Sequence, residues 1–190
     1  MESKDKEDIG SNDVVLKSAR GILIFGKWAL VVAIAAIAVG LLAIPFTYQI
    51  LTEKMAETFV NPPAPEVFGM IALIMLLAVV SLLLTLFAID RLRRLVNSVS
   101  EGNPFTRING TRLRGIGIAV FAIQLVTFLA SLLAIGLITM LGETKPGVDF
   151  DFPIEADISL SGVLLVLLLI ILARVFDRGA EMREELDGTI

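Results

Sequence analysis

The sequence predicts an all-α fold: an integral membrane four-helix bundle of two parallel-related hairpins, with both termini in the cytoplasm. Hydrophobic residues make up 56% of the 190 residues, and they are gathered in blocks, which is typical of a membrane domain. Four stretches hold no charged side chain, namely 28–52, 67–89, 115–142 and 158–173. Lys and Arg concentrate in alternate segments between these stretches, which indicates the direction of each span.

Each charge-free stretch is close to the length that crosses a bilayer, which is about 20 residues at ~1.5 Å per residue. We therefore predict spans at about 22–51, 67–90, 115–141 and 158–176. The fourth span reaches this length because the long side chain of Arg174 can extend toward the headgroups. The first stretch is longer than the apolar core of a cleavable signal peptide, so we expect it to remain in the protein.

The basic residues set the orientation of the spans. Five Lys or Arg precede the first span, six lie between the second and third, three follow from Arg174 onward, and each of the other two segments has one. Positive residues stay on the cytoplasmic side. Both termini and the loop 91–114 are therefore predicted inside, and residues 53–66 and 143–157 outside.

The chain divides into a disordered tail, residues 1–13, and one four-span domain, residues 14–190. The tail is charged and lacks apolar periodicity. Beyond the second and fourth spans, residues 88, 92, 95, 99 and 175, 179, 182, 186 repeat one helical spacing. We therefore predict that both spans continue as amphipathic helices, the second of them forming the tail 177–190. This echo and that of Arg20-Gly21 in Arg114-Gly115 indicate a parallel repeat, with chance recurrence as an equal alternative.

The composition argues against an enzyme. The chain has no cysteine and no histidine, so thiol nucleophiles, imidazole bases and the usual zinc or haem ligands are missing. No ionisable side chain lies near the middle of a span, which disfavours a proton-driven transporter. We predict no catalytic residues, no cofactor and no metal site. The acidic segment 148–157 is interpreted as a solvated loop, with a calcium site as the alternative.

Two sets of residues within the spans have both a packing and a functional interpretation. Small residues recur with helical spacing on the first span: Gly26, Ala29, Ala33, Ala36, Gly40 and Ala43. We interpret this seam as internal packing, with a dimer face as the alternative. Gln124, Thr127 and Ser131 share one face of the third span, where they form either interhelical hydrogen bonds or a polar substrate path.

The most specific sequence lies in the central loop and the C-terminal tail. We select eight candidate partner-binding residues there: Asn103, Pro104, Phe105, Arg112, Arg114, Arg183, Glu184 and Glu185. The glycine, asparagine and proline of the loop predict a turn, and Phe105 is a candidate anchor onto a helix end. The arginines and acids could either pair with each other or contact a partner.

These segments resemble a bacterial family of four-span membrane proteins, domain of unknown function 2975. The resemblance rests on 102–105, which reads Gly-Asn-Pro-Phe, on 112–117, which reads Arg-Leu-Arg-Gly-Ile-Gly, and on the tail 179–190. Gly188 departs from the apolar residue usual in the family. The resemblance implies no reaction, but it implies a bacterial inner membrane and a small helix-turn-helix regulator as partner, because members are often encoded beside one.

Our leading hypothesis is a bacterial inner-membrane binding protein whose cytoplasmic surface sequesters or signals to such a regulator. The alternative is a small oligomeric channel or transporter. The expected partners are membrane lipids, the regulator and further copies of the chain, without direct binding of nucleic acid.

Overall fold

The computed structural model describes the backbone of residues 2–61, 63–102, 104–146 and 156–187, and the side chains of these ranges except 2–17, 19 and 187. Four helices account for most of this part: α1 (Glu2–Thr58), α2 (Pro65–Ser100), α3 (Arg107–Leu141) and α4 (Leu160–Asp187). The described residues contain no strand, and one isolated antiparallel bridge joins Phe59 to Thr144. The all-α class with four long helices is confirmed.

The helices are longer than the predicted spans. The backbone of residues 2–13 is helical as the start of α1, and the disorder expected of this tail stays a prediction. Once a helix exists, each added residue gains a hydrogen bond without a new nucleation step, so a long apolar helix can extend into a charged segment. Most of the predicted loop 91–114 is also helical, because α2 and α3 leave only residues 101–106 between them.

The helix ends have local causes in the sequence. Gly102 and Gly142 have positive φ angles of 76° and 72°, so each supplies the left-handed residue that commonly follows a helix. Pro65 occupies the first position of α2, where a missing N–H costs no helical hydrogen bond. The predicted helical continuations are present, since α2 extends to Ser100 and α4 to Asp187.

The chain forms two compact units. The first unit comprises Met1–Val31, Leu84–Phe121 and Leu160–Ile190, and the second comprises Val32–Leu83 and Ala122–Ser159. In the first unit, successive helices run antiparallel: Gly26 of α1 faces Ile89 of α2, and Gly117 of α3 faces Leu169 of α4. Its buried apolar residues are Leu113, Ile116, Ala119, Ala173 and Ala180.

In the second unit, the two segments predicted to lie outside contact each other. The amide of Val60 donates to the carbonyl of Glu143 at 3.0 Å, and the amide of Lys145 donates to that of Thr58 at 2.9 Å. The Lys145 ammonium also donates to the carbonyl of Ala56 near the end of α1, at 2.7 Å, which places a positive charge at a helix C-terminus. The two connections are thus joined by backbone hydrogen bonds.

The predicted small-residue seam on α1 is used in part. A methyl group at Gly26 would meet Ile89 at 3.8 Å in the first unit, and one at Gly40 would meet Met75 at 3.0 Å in the second. These two glycines therefore pack against α2. Ala29 and Ala36 of the same seam are exposed, whereas Ala33 and Ala43 are half-buried, so internal packing uses part of the pattern.

The exposed apolar side chains indicate that lipid surrounds the four helices. All four helices are long and apolar enough to cross a membrane, and large side chains such as Phe25, Phe46 and Ile118 are mostly exposed. Only helices and closed barrels satisfy every backbone polar group in hydrocarbon. The chain is a multi-pass membrane protein.

Gly110 provides a test of the packing between α3 and α4. A methyl group there would overlap the Asp177 carboxylate and lie 3.2 Å from the carbonyl oxygen of Ala173. We expect Gly110→Ala to lower the free energy of unfolding in mild detergent by about 1–3 kcal/mol. Gly21→Ala is the matched control, because nothing lies within 4 Å of its added methyl. Equal stability of the two variants would contradict the close approach of α3 and α4.

Candidate functional site

The candidate site is the connection between α2 and α3 together with the end of α4, all within the first unit. Gly102 ends α2 through its positive φ, and its amide donates to the carbonyl of Val99 at 3.1 Å. The amides of Asn109 and Gly110 then donate to the carbonyl of Thr106, and these are the first hydrogen bonds of α3. The connection is therefore a short turn between two helix ends, as its glycine and proline predict.

Asn109 joins this connection to both helices. Its side chain is fully buried, with 0% exposure. The amide nitrogen donates to the Ser98 hydroxyl at 2.9 Å and to the Pro104 carbonyl at 2.8 Å. Its amide oxygen accepts a hydrogen bond from Arg112 at 2.8 Å. Because each of these bonds satisfies a group withdrawn from water, Asn109 fixes the position of the connection.

Arg112 is used internally. The Nη1 atom that donates to Asn109 also donates to the backbone carbonyl of Arg94 on α2, at 3.0 Å. Its guanidinium therefore links α3 to the end of α2. Contact of Arg112 with a partner, for which it is a candidate, stays a prediction.

Phe105 anchors the connection onto α4. Its ring lies 5.5 Å from that of Phe176, measured between centroids, with an interplanar angle of 46°, a tilted arrangement that aromatic pairs favour. A methyl group at Gly179 would meet the Phe105 ring at 2.6 Å. The absence of a side chain at Gly179 therefore makes room for the ring. This is the helix contact predicted for Phe105, made within the chain.

Two forked ion pairs join α3 to α4. Arg107 donates from Nε and Nη2 to the two carboxylate oxygens of Glu184, at 3.2 and 2.9 Å. Arg114 donates from Nη1 to Asp177 at 2.9 Å, with Nη2 at 3.5 Å from the other oxygen. Arginine matches carboxylates in this two-point geometry, which gives the contact direction as well as attraction. All four side chains are partly solvated, so they set register more than stability.

The remaining selected residues have mixed placements. Asn103 lies outside the described residues. Pro104 contributes its carbonyl oxygen to the Asn109 network. Arg183 and Glu185 are exposed on the last turns of α4, whereas Glu184 is committed to Arg107. The structure thus brings four of the eight, Phe105, Arg112, Arg114 and Glu184, into contacts between helices.

Sequence reasoning missed Arg107, Asn109 and Asp177 as members of the site. A usable signal was present for two of them. Arg107 and Arg114 are seven residues apart on α3, and Asp177 and Glu184 are seven apart on α4. Opposite charges at matching heptad spacing on consecutive antiparallel helices are able to pair along one edge. Asn109 carried no comparable signal, because its burial depends on the turn that precedes it.

Comparison with known proteins supports one assignment. Residues 50–190 match the family described as "Protein of unknown function (DUF2975)". The chain belongs to the DUF2975 family. The match covers α2, α3 and α4 and therefore the whole candidate site, and it confirms the resemblance noted from the loop and the tail. No curated protein matches the DUF2975 chain, and no solved structure does.

The chemistry available to this DUF2975 protein at the site is ionic and hydrogen-bonding. Among the described residues, no group of three or more Asp or Glu is placed to hold a metal ion. Most of the acidic segment 148–157, considered as a calcium site, lies outside the described residues. The ordered groups at the site are guanidinium ions, carboxylates, one buried amide and an aromatic ring. Such groups recognise charged or amphipathic ligands and protein surfaces.

The buried amide of Asn109 generates a test. We expect Asn109→Ala in this DUF2975 protein to lower the free energy of unfolding by about 2–4 kcal/mol, because it removes three hydrogen bonds and leaves buried groups unpaired. Amide exchange of Phe105 and Thr106 should accelerate as well. Thr111→Ala is the control, since the Thr111 hydroxyl bonds only to the carbonyl of Arg107 within its own helix. Unchanged exchange in the connection would contradict the role of Asn109.

Proposed function

We propose that this protein is a bacterial inner-membrane binding protein that presents the end of α4 to a soluble regulatory protein in the cytoplasm. The proposed partner is the small helix-turn-helix regulator implied by the family resemblance. The proposal keeps the docking function inferred from the sequence but moves its surface. The arginines of the first turns of α3 are engaged within the chain, so the partner surface is assigned to the outer face of α4.

The exposed apolar residues of the α4 end carry this proposal. Met182 and Leu186 are one turn apart, and they are 56% and 71% exposed. Leu186 lies nine residues beyond Asp177, or about 14 Å of helix. Lipid tails account for exposed apolar side chains within a span, but they do not reach residues that far past its charged edge. An apolar pair flanked by charged residues is typical of a helix that contacts another protein.

The charge distribution supports a cytoplasmic position for the end of α4. Arg183 and Glu185 flank the apolar pair and are exposed, which offers polar contacts around an apolar centre. The excess of Lys and Arg before the first predicted span, between the second and third, and after the fourth favours a cytoplasmic position for this surface. A soluble regulator held there would be kept away from its DNA, which is the consequence that sequestration requires.

The test uses the full-length protein and the purified product of the neighbouring gene, which the resemblance implies to be a small helix-turn-helix protein. Binding is measured on sealed vesicles of both orientations, and we expect it only on inverted vesicles, where the cytoplasmic face is outside. Met182→Ser with Leu186→Ser should weaken binding by about tenfold or more, because two apolar side chains leave the interface.

Val99→Ser is the control for this experiment. Val99 is also an exposed apolar residue near a helix end, on α2, so its replacement makes a similar chemical change elsewhere. Wild-type vesicles that bind no regulator in either orientation would contradict the proposal. Binding that survives the double substitution on α4 would contradict the assigned surface.

A small oligomeric channel is the second candidate function, and Gln124 favours it. Both the amide nitrogen and the amide oxygen of Gln124 are buried without a hydrogen-bond partner among the described residues. Leaving such a group unpaired is costly, so water or a permeating solute is a natural partner. Thr127 and Ser131 lie on the same face of α3 by spacing.

Flux through liposomes tests the second candidate. If Gln124 lines a path, Gln124→Leu should reduce potassium or chloride flux severalfold, because an amide that replaces hydration is lost. Thr139→Val is the control on the same helix, since the Thr139 hydroxyl bonds to the carbonyl of Gly136. Absence of protein-dependent flux, or flux unchanged by Gln124→Leu, would exclude a path at this face.

A further inference from the structure

Two adjoining cavities between α3 and α4 share one arginine. The first is a polar cleft of about 300 Å³, lined by Arg107, Thr111, Arg114, Asp177 and Glu181. The second is an apolar groove of about 420 Å³, lined by Arg114, Gly117, Ile118, Phe121, Val166 and Ile170. Both are open to the surface and both lie within the first unit. A polar cleft that continues into an apolar groove matches a lipid, whose polar headgroup is joined to an apolar chain.

The depth of the two cavities agrees with this order. Arg114 is the last charged residue before the charge-free stretch 115–142, so it lies at the edge of a span. The cleft extends from Arg114 toward Arg107, away from the span, and the groove extends toward Phe121, into it. The cleft is therefore at headgroup depth and the groove is in the hydrocarbon.

The groove owes its form to small and large residues on the facing helices. Gly117 brings α3 close to α4, since a methyl group there would be 3.5 Å from the Leu169 Cβ atom. Ile118, Phe121 and Ile170 stand at its sides with exposed side chains. An extended apolar chain is the occupant that this lining favours.

The cleft contains charges of both signs. Arg107 and Arg114 oppose Asp177 and Glu181, so its lining is formally neutral. A simple anion would be attracted by the two guanidinium groups but repelled by the two carboxylates. A simple cation would be attracted by the carboxylates and repelled by the guanidinium groups. A zwitterionic headgroup with a phosphate and a primary ammonium finds partners for both of its charges.

Arg114 and Glu181 retain hydrogen-bonding capacity in the cleft. A guanidinium has five N–H donors, and Arg114 directs one N–H of Nη1 and one of Nη2 to Asp177. Glu181 accepts a hydrogen bond from Arg178 through Oε2 at 3.1 Å, and its other oxygen can accept from an ammonium. The pairs that join α3 to α4 need not break for the headgroup to bind.

We propose that the α3–α4 groove binds one phospholipid with a phosphoethanolamine headgroup. The phosphate contacts Arg114, the ammonium contacts Glu181, and one acyl chain lies in the groove beside Gly117 and Phe121. A quaternary ammonium has no N–H to donate to Glu181, and a glycerol headgroup has no positive charge for it. Phosphatidylethanolamine should therefore be preferred over both phosphatidylcholine and phosphatidylglycerol.

The test is native mass spectrometry of the full-length protein from vesicles that hold equal amounts of these three lipids. We expect phosphatidylethanolamine to be retained about tenfold more than either competitor, which is the effect of one charge-assisted hydrogen bond. Glu181→Gln should abolish this preference. Glu185→Gln is the matched control, because it makes the same change one turn further along α4 outside the cleft and should keep the preference.

Several outcomes would overturn the proposal. Retention of phosphatidylglycerol in preference, equal retention of the three lipids, or no retained lipid would each do so. An unchanged preference in Glu181→Gln would also overturn it, and a melting curve shows whether that variant is folded. Displacement of the lipid by soluble phosphoethanolamine would indicate a site for the free headgroup and would exclude the role of the groove.

Discussion

The close approach of α3 and α4 is the constraint on which the ordered polar surface of this protein depends. At Gly110 the carbonyl of Ala173 and the carboxylate of Asp177 fill the space that a side chain would need. At this separation the α3 arginines reach α4 carboxylates in forked geometry. Helices in a bilayer gain little from apolar burial, because lipid tails are as apolar as leucine, so close packing and polar contacts hold them together.

The sequence predicts the number, position and class of the helices because hydrocarbon leaves the backbone few alternatives. It predicts their ends less well. The start of α3 at Arg107 depends on the turn from Gly102 to Thr106, and this turn lies in a charged segment without apolar periodicity. Length and hydropathy therefore located the spans, whereas local hydrogen bonds extended them beyond the charge-free stretches. The assignment of segments to the cytoplasmic or the outer side, in contrast, rests on the charge distribution alone.

The sequence predicted several residues of the candidate site but not the partners that they contact. Phe105 was selected as a helix anchor, and the structure seats it on Phe176 and Gly179 of α4. Arg112 was selected for its charge, yet the partners it has in the structure are the Arg94 backbone carbonyl and the Asn109 amide oxygen. A guanidinium satisfies a carbonyl as readily as a carboxylate, so residue type alone does not fix the partner. The distinctive sequence of the connection and of the start of α3 therefore reflects contacts within the chain.

An ion pair recurs at the edge of both helix pairs in the first unit. Lys27 pairs with Asp90 at 3.1 Å and Arg114 with Asp177 at 2.9 Å. One offset of 87 residues relates the two bases and the two acids. The amphipathic faces beyond the second and fourth spans share this offset, whereas Arg20-Gly21 and Arg114-Gly115 do not. The parallel repeat stays a prediction, but these ion pairs define the alignment that it requires.

That alignment also shows where the two helix pairs differ. At the offset of 87, Phe105 corresponds to Ser18 and Gly179 to Leu92. The α1–α2 edge therefore has neither the aromatic ring nor the glycine that receives it. Where α3 has Gly110, α1 has Leu23, so the backbone contact that brings Asp177 onto α3 has no counterpart. The ionic contact is common to both edges, and the glycine-dependent packing that creates the cleft and groove belongs to α3 and α4 alone.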